Sequence, residues 1–298
     1  MKKAVIREIR QGLYRVALPV EIRGFSDFIG VFVHTGDPCF LVDTGPASTA
    51  DALIDALDTL SATRLDNVLL THIHLDHAGA TGDLVHRLGP LKVACHSTGI
   101  RHMAHPEKLW AGSLATLGDT ARAYGPLRPT PPECLVPAEG FGEGGILAIP
   151  TPGHAAHHVS YVHGDVLFAG EAAGMYTPFE DGGVFIRPAT PPKFFFDTYI
   201  NSLDSLLPHS DKTVCYAHYG VRKNARELFL AHRDQIFLWR GIVEKAVGER
   251  IGDNLVDECI GRLLAQDPLM RHWDRFSEDV KSRELIFLKN SVRGFAGS

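Results

Sequence analysis

The chain has 298 residues and a net charge of −5, with 45% hydrophobic and 22% charged residues. These values indicate a soluble globular protein with one large domain, or a large domain and a smaller appendage. No basic block offsets the negative charge, so we do not expect a nucleic-acid partner and expect a small-molecule substrate instead.

Residues 1–8 lack an apolar signal core and no later segment approaches the length of a membrane span. The sequence therefore predicts a cytoplasmic protein without a membrane partner. Five scattered cysteines without a CxxC pair predict reduced thiols rather than a disulfide framework. The sequence does not set the oligomeric state, and a homodimer is one alternative.

The first third of the chain predicts strands and then a strand–helix–strand unit. Short apolar runs separated by turns predict strands at residues 13–18, 29–34 and 40–43. Helical spacing follows at residues 49–60, and the apolar run at residues 68–70 is typical of a buried strand. This order indicates an α/β layered core.

The next seven residues, Thr-His-Ile-His-Leu-Asp-His, contain four possible metal ligands: His72, His74, Asp76 and His77. Because a strand presents alternate residues on one side, we expect His72 and His74 to reach one ion. Asp76 and His77, where the chain turns toward a helix, would reach a second. A single histidine among the 16 in the chain would carry little weight. Three imidazoles and a carboxylate crowded together would repel when protonated and lack partners when buried, so the run predicts a two-metal site.

The middle of the chain predicts a helix at residues 78–88, a strand at 91–95 and then an excursion from the core at 96–132. Helical spacing in the excursion is interrupted by Gly and Pro. A segment of this length beside a site is either a lid or wall, or a surface insertion.

The second half repeats the scheme of strands and a helix. Strands are predicted at residues 145–149, 159–162, 166–169 and 213–217, and an amphipathic helix at 196–207. Beyond Gly220 the patterns are helical, without strand signals. We therefore predict a domain of residues 1–220 and a helical region of residues 221–298 whose apolar stripes are packing surfaces.

Three more residues of ligand type stand just past predicted strands: His154, Glu171 and His218. With them the chain resembles the metallo-β-lactamase superfamily, whose signature is His-x-His-x-Asp-His, then Gly-His, Gly-Asp and a final His. The match spans residues 13–220. The resemblance implies a four-layer αββα sandwich with a dinuclear metal site at one edge.

Residue by residue, the resemblance implies that the first metal is held by His72, His74 and His154, and the second by Asp76, His77 and His218. The segment Val42-Asp43-Thr44-Gly45 is similar to the family's early Asp motif, in which Asp43 would orient a ligand imidazole.

The chain departs from the family pattern at the bridging carboxylate, which is usually Asp and here is Glu171. Its extra methylene can span two ions or draw one oxygen away from the second. Asp165 is an alternative bridge, although it lies in a predicted hairpin turn, where Asp is common.

The region 206–219 is similar to thioester hydrolases of the glyoxalase II type. This implies hydrolysis of a small ester, thioester or lactone by a hydroxide that bridges two divalent ions, with zinc favoured and iron or manganese as alternatives. Asp76 would steer a proton toward the leaving group. Tyr176 and Tyr219 are the nearest phenols to ligands in sequence and are candidates to bind the substrate carbonyl. The loop 175–179 and residues 193–196 are candidate pocket walls.

Two other functions stay open at this stage. The same scaffold resembles iron-dependent persulfide dioxygenases and diiron proteins of oxygen or nitric-oxide chemistry, and imidazole with carboxylate suits iron as well as zinc. A non-enzymatic metal or oxygen sensor, with the helical region binding a partner, is the third alternative.

Overall fold

The computed structural model describes residues 2–249 and 252–297. The strands are β1 Val5–Arg10, β2 Leu13–Ala17, β3 Gly30–His34, β4 Phe40–Val42, β5 Asn67–Leu69, β6 Lys92–Cys95, β7 Leu135–Pro137, β8 Ile146–Pro150, β9 Val159–His163, β10 Val166–Gly170, β11 Met175–Pro178, β12 Val184–Arg187, β13 Thr213–Tyr216 and β14 Val221–Lys223. The α-helices are α1 Ala50–Thr59, α2 Leu75–Ala78, α3 Thr81–Leu88, α4 Ser97–Ala104, α5 Glu107–Leu117, α6 Asp119–Tyr124, α7 Phe196–Leu206, α8 Arg226–Gly248, α9 Leu255–Gln266 and α10 Glu278–Ala296.

The strands form two main sheets and a separate hairpin. One sheet has the order β1-β2-β3-β4-β5-β6-β7, antiparallel as far as β4 and parallel from β4 to β7. The other has the order β14-β13-β10-β9-β8, in which β8, β10 and β13 run in one direction. The pair β11–β12 makes the hairpin.

Apolar faces hold the layers together. Between the sheets lies a core that includes Phe32, Phe40, Tyr161 and Phe168. Strand β5 is buried throughout because helices cover the outer face of its sheet, as parallel strands require. Helices α7 and α8 cover the outer face of the other sheet. The predicted αββα sandwich with a C-terminal helical region is confirmed.

Several details differ from the sequence-based expectations. Strands β1, β7 and the hairpin β11–β12 were not predicted, and residues 175–179, predicted as a loop, largely form β11. Residues past Gly220 do contain a strand, β14, which pairs with β13. The division of the chain at residue 220 stays a prediction, although β14 lies beyond that residue and belongs to the second sheet.

The C-terminal helices α8, α9 and α10 share a core around Trp239, which is fully buried. Helix α10 also reaches back to the amino-terminal part of the chain, where Phe287 stacks on Phe28 with ring centroids 5.9 Å apart. Among the helices in residues 2–249 and 252–297, none is long and apolar enough to cross a membrane.

Candidate metal centre

The predicted ligands come together because strands of both sheets end at the same edge. The segments that follow β4, β5, β8, β10 and β13 carry Asp43, the 72–77 run, His154, Glu171 and His218. An isolated bridge between Ile29 and His218 joins the two sheets beside this edge. All seven predicted ligands lie there, in two adjoining groups.

The explanation of His72 and His74 by strand alternation is wrong, since β5 ends at Leu69. A loop positions the two rings instead. The backbone N–H of Thr71 donates to Asp43 Oδ1 at 2.7 Å, and His74 stands at the amino end of α2. His72 Nε2 and His74 Nδ1 consequently lie 3.0 Å apart.

The first group consists of His72, His74, His154 and Glu171, whose ligand atoms all lie within 4.8 Å of one another. His154 Nε2 is 3.0 Å from His74 Nδ1 and 2.8 Å from Glu171 Oε2. The other nitrogen of His154, Nδ1, donates to the backbone oxygen of Ala189 at 2.7 Å. That bond fixes the tautomer and leaves Nε2 free to bind an ion.

The second group consists of Asp76, His77 and His218. Asp76 Oδ2 lies 3.7 Å from His77 Nε2 and 3.9 Å from His218 Nε2. His218 Nδ1 donates to the backbone oxygen of Phe28 at 3.2 Å, and its ring stacks on Phe28 with centroids 4.3 Å apart. Both imidazoles of this group therefore direct Nε2 toward the site.

Asp43 orients two of the predicted ligands through hydrogen bonds. Its Oδ2 accepts from His77 Nδ1 at 2.9 Å, and the hydroxyl of Thr71 donates to the same carboxylate. Because Thr71 donates to Asp43, its oxygen accepts from His72 Nδ1 at 3.1 Å. One buried carboxylate thus sets the tautomers of His77 directly and of His72 through Thr71.

Glu171 lies between the two groups. Its Oε2 is 3.4 Å from His72 Nε2 and 3.5 Å from His77 Nε2, while its Oε1 is 3.5 Å from His218 Nε2. Burial raises the pKa of Glu171, but the neighbouring imidazoles, His154 first among them, outweigh burial and lower the pKa well below its usual value. The carboxylate is therefore ionised, and the additional methylene gives it the reach to face both groups.

A sharp turn directs Glu171 into the site. Gly170 has a φ of +57°, and a Cβ at this position would lie 2.4 Å from His158 Nε2. That same nitrogen accepts from the backbone N–H of Glu171 at 3.0 Å. Glycine is required here because any side chain would displace the imidazole that anchors Glu171.

The chemistry of the donors fits divalent cations. Burial and the neighbouring imidazoles lower the pKa of His72 and of His74 well below the usual value, which favours the neutral form that binds metals. For His77 burial lowers the pKa, but Asp76 and Asp43 outweigh it and raise the pKa. His77 Nε2 is nevertheless buried without a hydrogen-bond partner among the described residues. A cation placed among these atoms would satisfy that nitrogen and the converging carboxylates.

A cavity of about 450 Å³ opens over the centre. Its lining includes His74, Asp76, His154, Glu171 and His218. Its lining also includes residues of α5 and α6, within the 96–132 excursion, and residues of the segment after β12 and of α10. The C-terminal helical region therefore contributes to the cavity, through residues that include Phe287 and Asn290.

The two predicted substrate phenols lie elsewhere, which corrects that expectation. Tyr176 is buried on β11, where its ring stacks on Tyr216 with centroids 4.6 Å apart. The Tyr219 hydroxyl accepts from Arg283 Nη1 at 2.6 Å. Neither residue lines the cavity in the described part of the chain. Proximity in sequence was a poor guide because each side chain has its own partner, Tyr216 for Tyr176 and Arg283 for Tyr219.

Other candidates also differ from expectation. Asp165 lies in the β9–β10 turn and pairs with Arg10, so it is no bridge. Of the predicted walls, Met175 lines the cavity, whereas residues 193–196 do not. Phe195 is instead exposed.

Sequence reasoning did not single out several residues that line the cavity, among them Tyr124 and His157. His157 had a signal, because it follows His154 within the run His-Ala-Ala-His-His. Tyr124 had none, since nothing in the excursion distinguishes this phenol. Burial raises the pKa of Tyr124, and the nearby charges of Asp76 and Glu171 raise it further, so the hydroxyl keeps its proton and can donate.

Comparison with known proteins agrees with this geometry. The family model of the metallo-beta-lactamase superfamily matches residues 29–218. The metallo-beta-lactamase fold-containing protein ST1585 of Sulfurisphaera tokodaii is 32% identical over 221 residues, which cover 71% of this chain and 79% of that protein. A hydroxyacylglutathione hydrolase of Aliivibrio fischeri is 27% identical over 254 residues, covering 84% of each chain.

Solved structures show the same likeness. The crystal structure of ST1585, an archaeal metallo-beta-lactamase superfamily protein from Sulfolobus tokodaii, aligns with a TM-score of 0.69 and 26% identity. The alignment covers 96% of this chain and 99% of that one, so the similarity includes the C-terminal helices.

Proposed function

The chain belongs to the metallo-beta-lactamase superfamily, and we propose that it hydrolyses a small ester, thioester or lactone with the help of two divalent metal ions. The observation that carries the proposal is the position of Glu171 between two groups of ligand-type side chains beside a cavity. Family membership, similarity to hydroxyacylglutathione hydrolases and the ligand geometry support a metal-dependent hydrolase in general.

The residues divide naturally into two metal sites that share one carboxylate. His72, His74 and His154 would hold one ion, Asp76, His77 and His218 the other, and Glu171 would contact both. When bound, the ions lower the pKa of a water molecule and polarise a substrate carbonyl. Zinc is the proposed metal, with iron or manganese as alternatives that the same donors accept.

The chain's own residues prepare this chemistry. Asp43 keeps His77 protonated at Nδ1, and the backbone oxygens of Ala189 and Phe28 do the same for His154 and His218. Asp76 lines the cavity, and its side chain retains 19% exposure. For this reason Asp76 is our candidate to pass a proton to a leaving group.

The cavity favours a small molecule as substrate. Its volume of about 450 Å³ falls in the range of small-molecule sites, and buried apolar residues form much of its lining. We assign the helices of the 96–132 excursion as one wall of the substrate site, because Leu109, Leu117 and Tyr124 face the cavity from that side.

A substrate panel with a metal assay tests the proposal. Protein saturated with zinc should hydrolyse at least one thioester, ester or lactone, lose activity with a chelator and regain it when zinc is restored. Absence of turnover on this panel, with two ions bound, would refute the proposal. Turnover of only β-lactams or phosphodiesters would contradict the substrate class. Iron in the purified protein, with visible absorption and oxygen consumption, would favour redox chemistry instead.

A further inference from the structure

A network of buried polar side chains runs from the C-terminal helical region toward the metal centre. Its members lie on α7, on α8 and just after α9, and none is more than 3% exposed: Tyr199, His232, Gln235 and Asp267. The Tyr199 hydroxyl lies 2.8 Å from His232 Nε2, and His232 Nδ1 lies 2.7 Å from Gln235 Oε1. Gln235 Nε2 in turn donates to Asp267 Oδ2 at 2.6 Å. These four side chains, the Tyr199 network, are therefore joined from end to end.

The partners of Gln235 set the direction of every hydrogen bond in the network. Its Nε2 donates to Asp267 and to the backbone oxygen of Ile186, so its Oε1 faces His232 as an acceptor. His232 consequently carries its proton on Nδ1. Burial, against the hydrogen bond to Gln235, lowers the pKa of His232 to about 4, so the ring is uncharged near neutral pH. Its Nε2 therefore accepts from the Tyr199 hydroxyl.

Helix α7 lies against the segment that carries His154. A Cβ at Gly153 would lie 2.9 Å from Tyr199 Cδ2, so the tyrosine ring contacts the backbone directly beside this ligand. On the same helix, the Ser202 hydroxyl donates to the backbone oxygen of Pro152 at 2.5 Å. Both residues that precede His154 are therefore held by α7.

Tyr199 also reaches the residue that orients the His154 imidazole. The backbone oxygen of Ala189 accepts from His154 Nδ1 at 2.7 Å. The backbone N–H of the same residue faces the Tyr199 hydroxyl, because burial and the charge of Glu171 raise the pKa of Tyr199 whereas the amides of Gly174 and Ala189 lower it. Ala189 thus connects the phenol to the ligand.

The turn after Glu171 meets the network at His232. The backbone N–H of Gly174 donates to the backbone oxygen of Glu171 at 3.2 Å. A Cβ at Gly174, where φ is +81°, would lie 2.7 Å from His232 Cε1. The imidazole therefore packs directly on this turn, and only glycine allows both the backbone conformation and the contact.

Packing alone does not explain why these side chains are polar. Apolar residues surround them, including Phe229 and Trp239, which are fully buried. A buried polar network is unfavourable unless every member has a partner, and a satisfied one specifies a single rigid arrangement. In the Tyr199 network, the rigid end is the one that contacts the ligand segments.

We propose that Tyr199, held by the network that ends at Asp267, is a positioning residue for the first metal ion. Its ring fixes Gly153 and its hydroxyl fixes Ala189, and both determine where the His154 imidazole lies. This inference rests on the metal centre of the proposed function and gives the C-terminal helices a part in metal affinity.

Zinc dissociation constants, measured by competition with a chromophoric chelator, test this role. Tyr199→Phe removes only the hydroxyl. Because loss of a group that orients a metal ligand weakens binding about 10- to 100-fold, the first zinc site should bind about tenfold more weakly, and the second site should change less. His154→Ala and His218→Ala, which each remove a ligand of one site, identify the dissociation constant that belongs to each site. An unchanged constant for the first site in Tyr199→Phe would overturn the proposal.

Trp239→Phe is the matched control at the far end of the network. Trp239 Nε1 donates to Asp267 Oδ2 at 2.7 Å, so the substitution removes a bond of the network but leaves Tyr199 joined to His232. It should lower the free energy of unfolding of the metal-free protein and leave both zinc dissociation constants near the wild-type values. Equal weakening of the first site in Trp239→Phe and Tyr199→Phe would show that affinity follows overall stability, and would overturn the positioning role.

Two substitutions of His232 test whether the network acts through Tyr199. His232→Gln keeps an acceptor for the Tyr199 hydroxyl, whereas His232→Leu removes it. The first zinc site should therefore bind more tightly in His232→Gln than in His232→Leu. Equal dissociation constants in these two variants would contradict the network.

Zinc binding and turnover together separate this inference from the proposed hydrolysis. Weaker binding at the first site in Tyr199→Phe, with no turnover of the ester panel by the wild type, would support positioning and refute hydrolysis. Equal zinc constants in the wild type and Tyr199→Phe, with turnover by the wild type, would overturn positioning and support hydrolysis.

Discussion

Replacing Glu284 with glutamine tests the buried charge cluster of Arg187, Arg283 and Glu284, which joins α10 to β12. The carboxylate accepts from Arg187 Nε and from Arg283 Nε and Nη2. An amide offers one acceptor oxygen and directs two donors at guanidinium donors, so at least one bond is lost and two buried positive charges remain. Removing one partner of a buried ion pair costs about 3–5 kcal/mol, and we expect a loss of this size in the free energy of unfolding.

Urea unfolding at neutral pH measures the loss. Asp257→Asn is the control, because Asp257 on α9 forms an exposed ion pair with Lys289 and its loss should have a much smaller effect. A Glu284→Gln variant within about 1 kcal/mol of the wild type would refute the reasoning, since the cost of an uncompensated buried charge would be missing.

The difference in unfolding free energy between the wild type and Glu284→Gln should depend on pH. Burial raises the pKa of Glu284, but Arg187 and Arg283 outweigh burial and lower it. A carboxyl with a lowered pKa in the folded state stabilises fully above its unfolded pKa, about 4.3, and loses that contribution as pH falls through the folded value. The difference between wild type and Glu284→Gln should therefore shrink below about pH 4. A difference that grew on acidification would contradict the ionised state of Glu284.

Two further predictions concern the centre. Gly170→Ala should lower the free energy of unfolding in urea more than Gly182→Ala does. Both glycines have positive φ, but only at Gly170 would the new Cβ lie 2.4 Å from His158 Nε2, so equal losses of unfolding free energy would contradict the clash. His74→Ala and Asp76→Ala should lower the metal content and reduce the rate of hydrolysis more than about 100-fold, which exceeds the loss expected when a residue that only hydrogen-bonds to a metal ligand is replaced. An unchanged circular dichroism spectrum should show that both variants are folded. Unchanged turnover in either variant would contradict its role.

Sequence reasoning was most successful where the spacing of residues fixes a local structure. The layered core followed from apolar periodicity, and the family signature brought together ligands as distant in sequence as His72 and His218. The reason given for the first two ligands was wrong, because β5 ends at Leu69 and a loop anchored by Asp43 places His72 and His74. Residue type predicted the site better than strand geometry did.

The residues that form the walls of the cavity could not be predicted from the sequence, because their positions depend on packing between distant segments. Tyr176 is next to a ligand segment in sequence but faces Tyr216, whereas Arg187 reaches the cavity through contacts with α10 nearly one hundred residues later. Glu284 carries no sequence signal of burial, since glutamate on a helix is ordinarily exposed. Only the packing of α10 against β12 shows the charge cluster.

The metal content of Glu171→Ala, measured by mass spectrometry beside the wild type after zinc saturation and removal of free metal, tests the central claim most directly. Glu171 faces both ligand groups, with Oε2 3.5 Å from His77 Nε2 and Oε1 3.5 Å from His218 Nε2. We predict two zinc ions per wild-type chain and fewer in Glu171→Ala. Two ions in both proteins, or a single ion in the wild type, would contradict a two-metal centre bridged by Glu171.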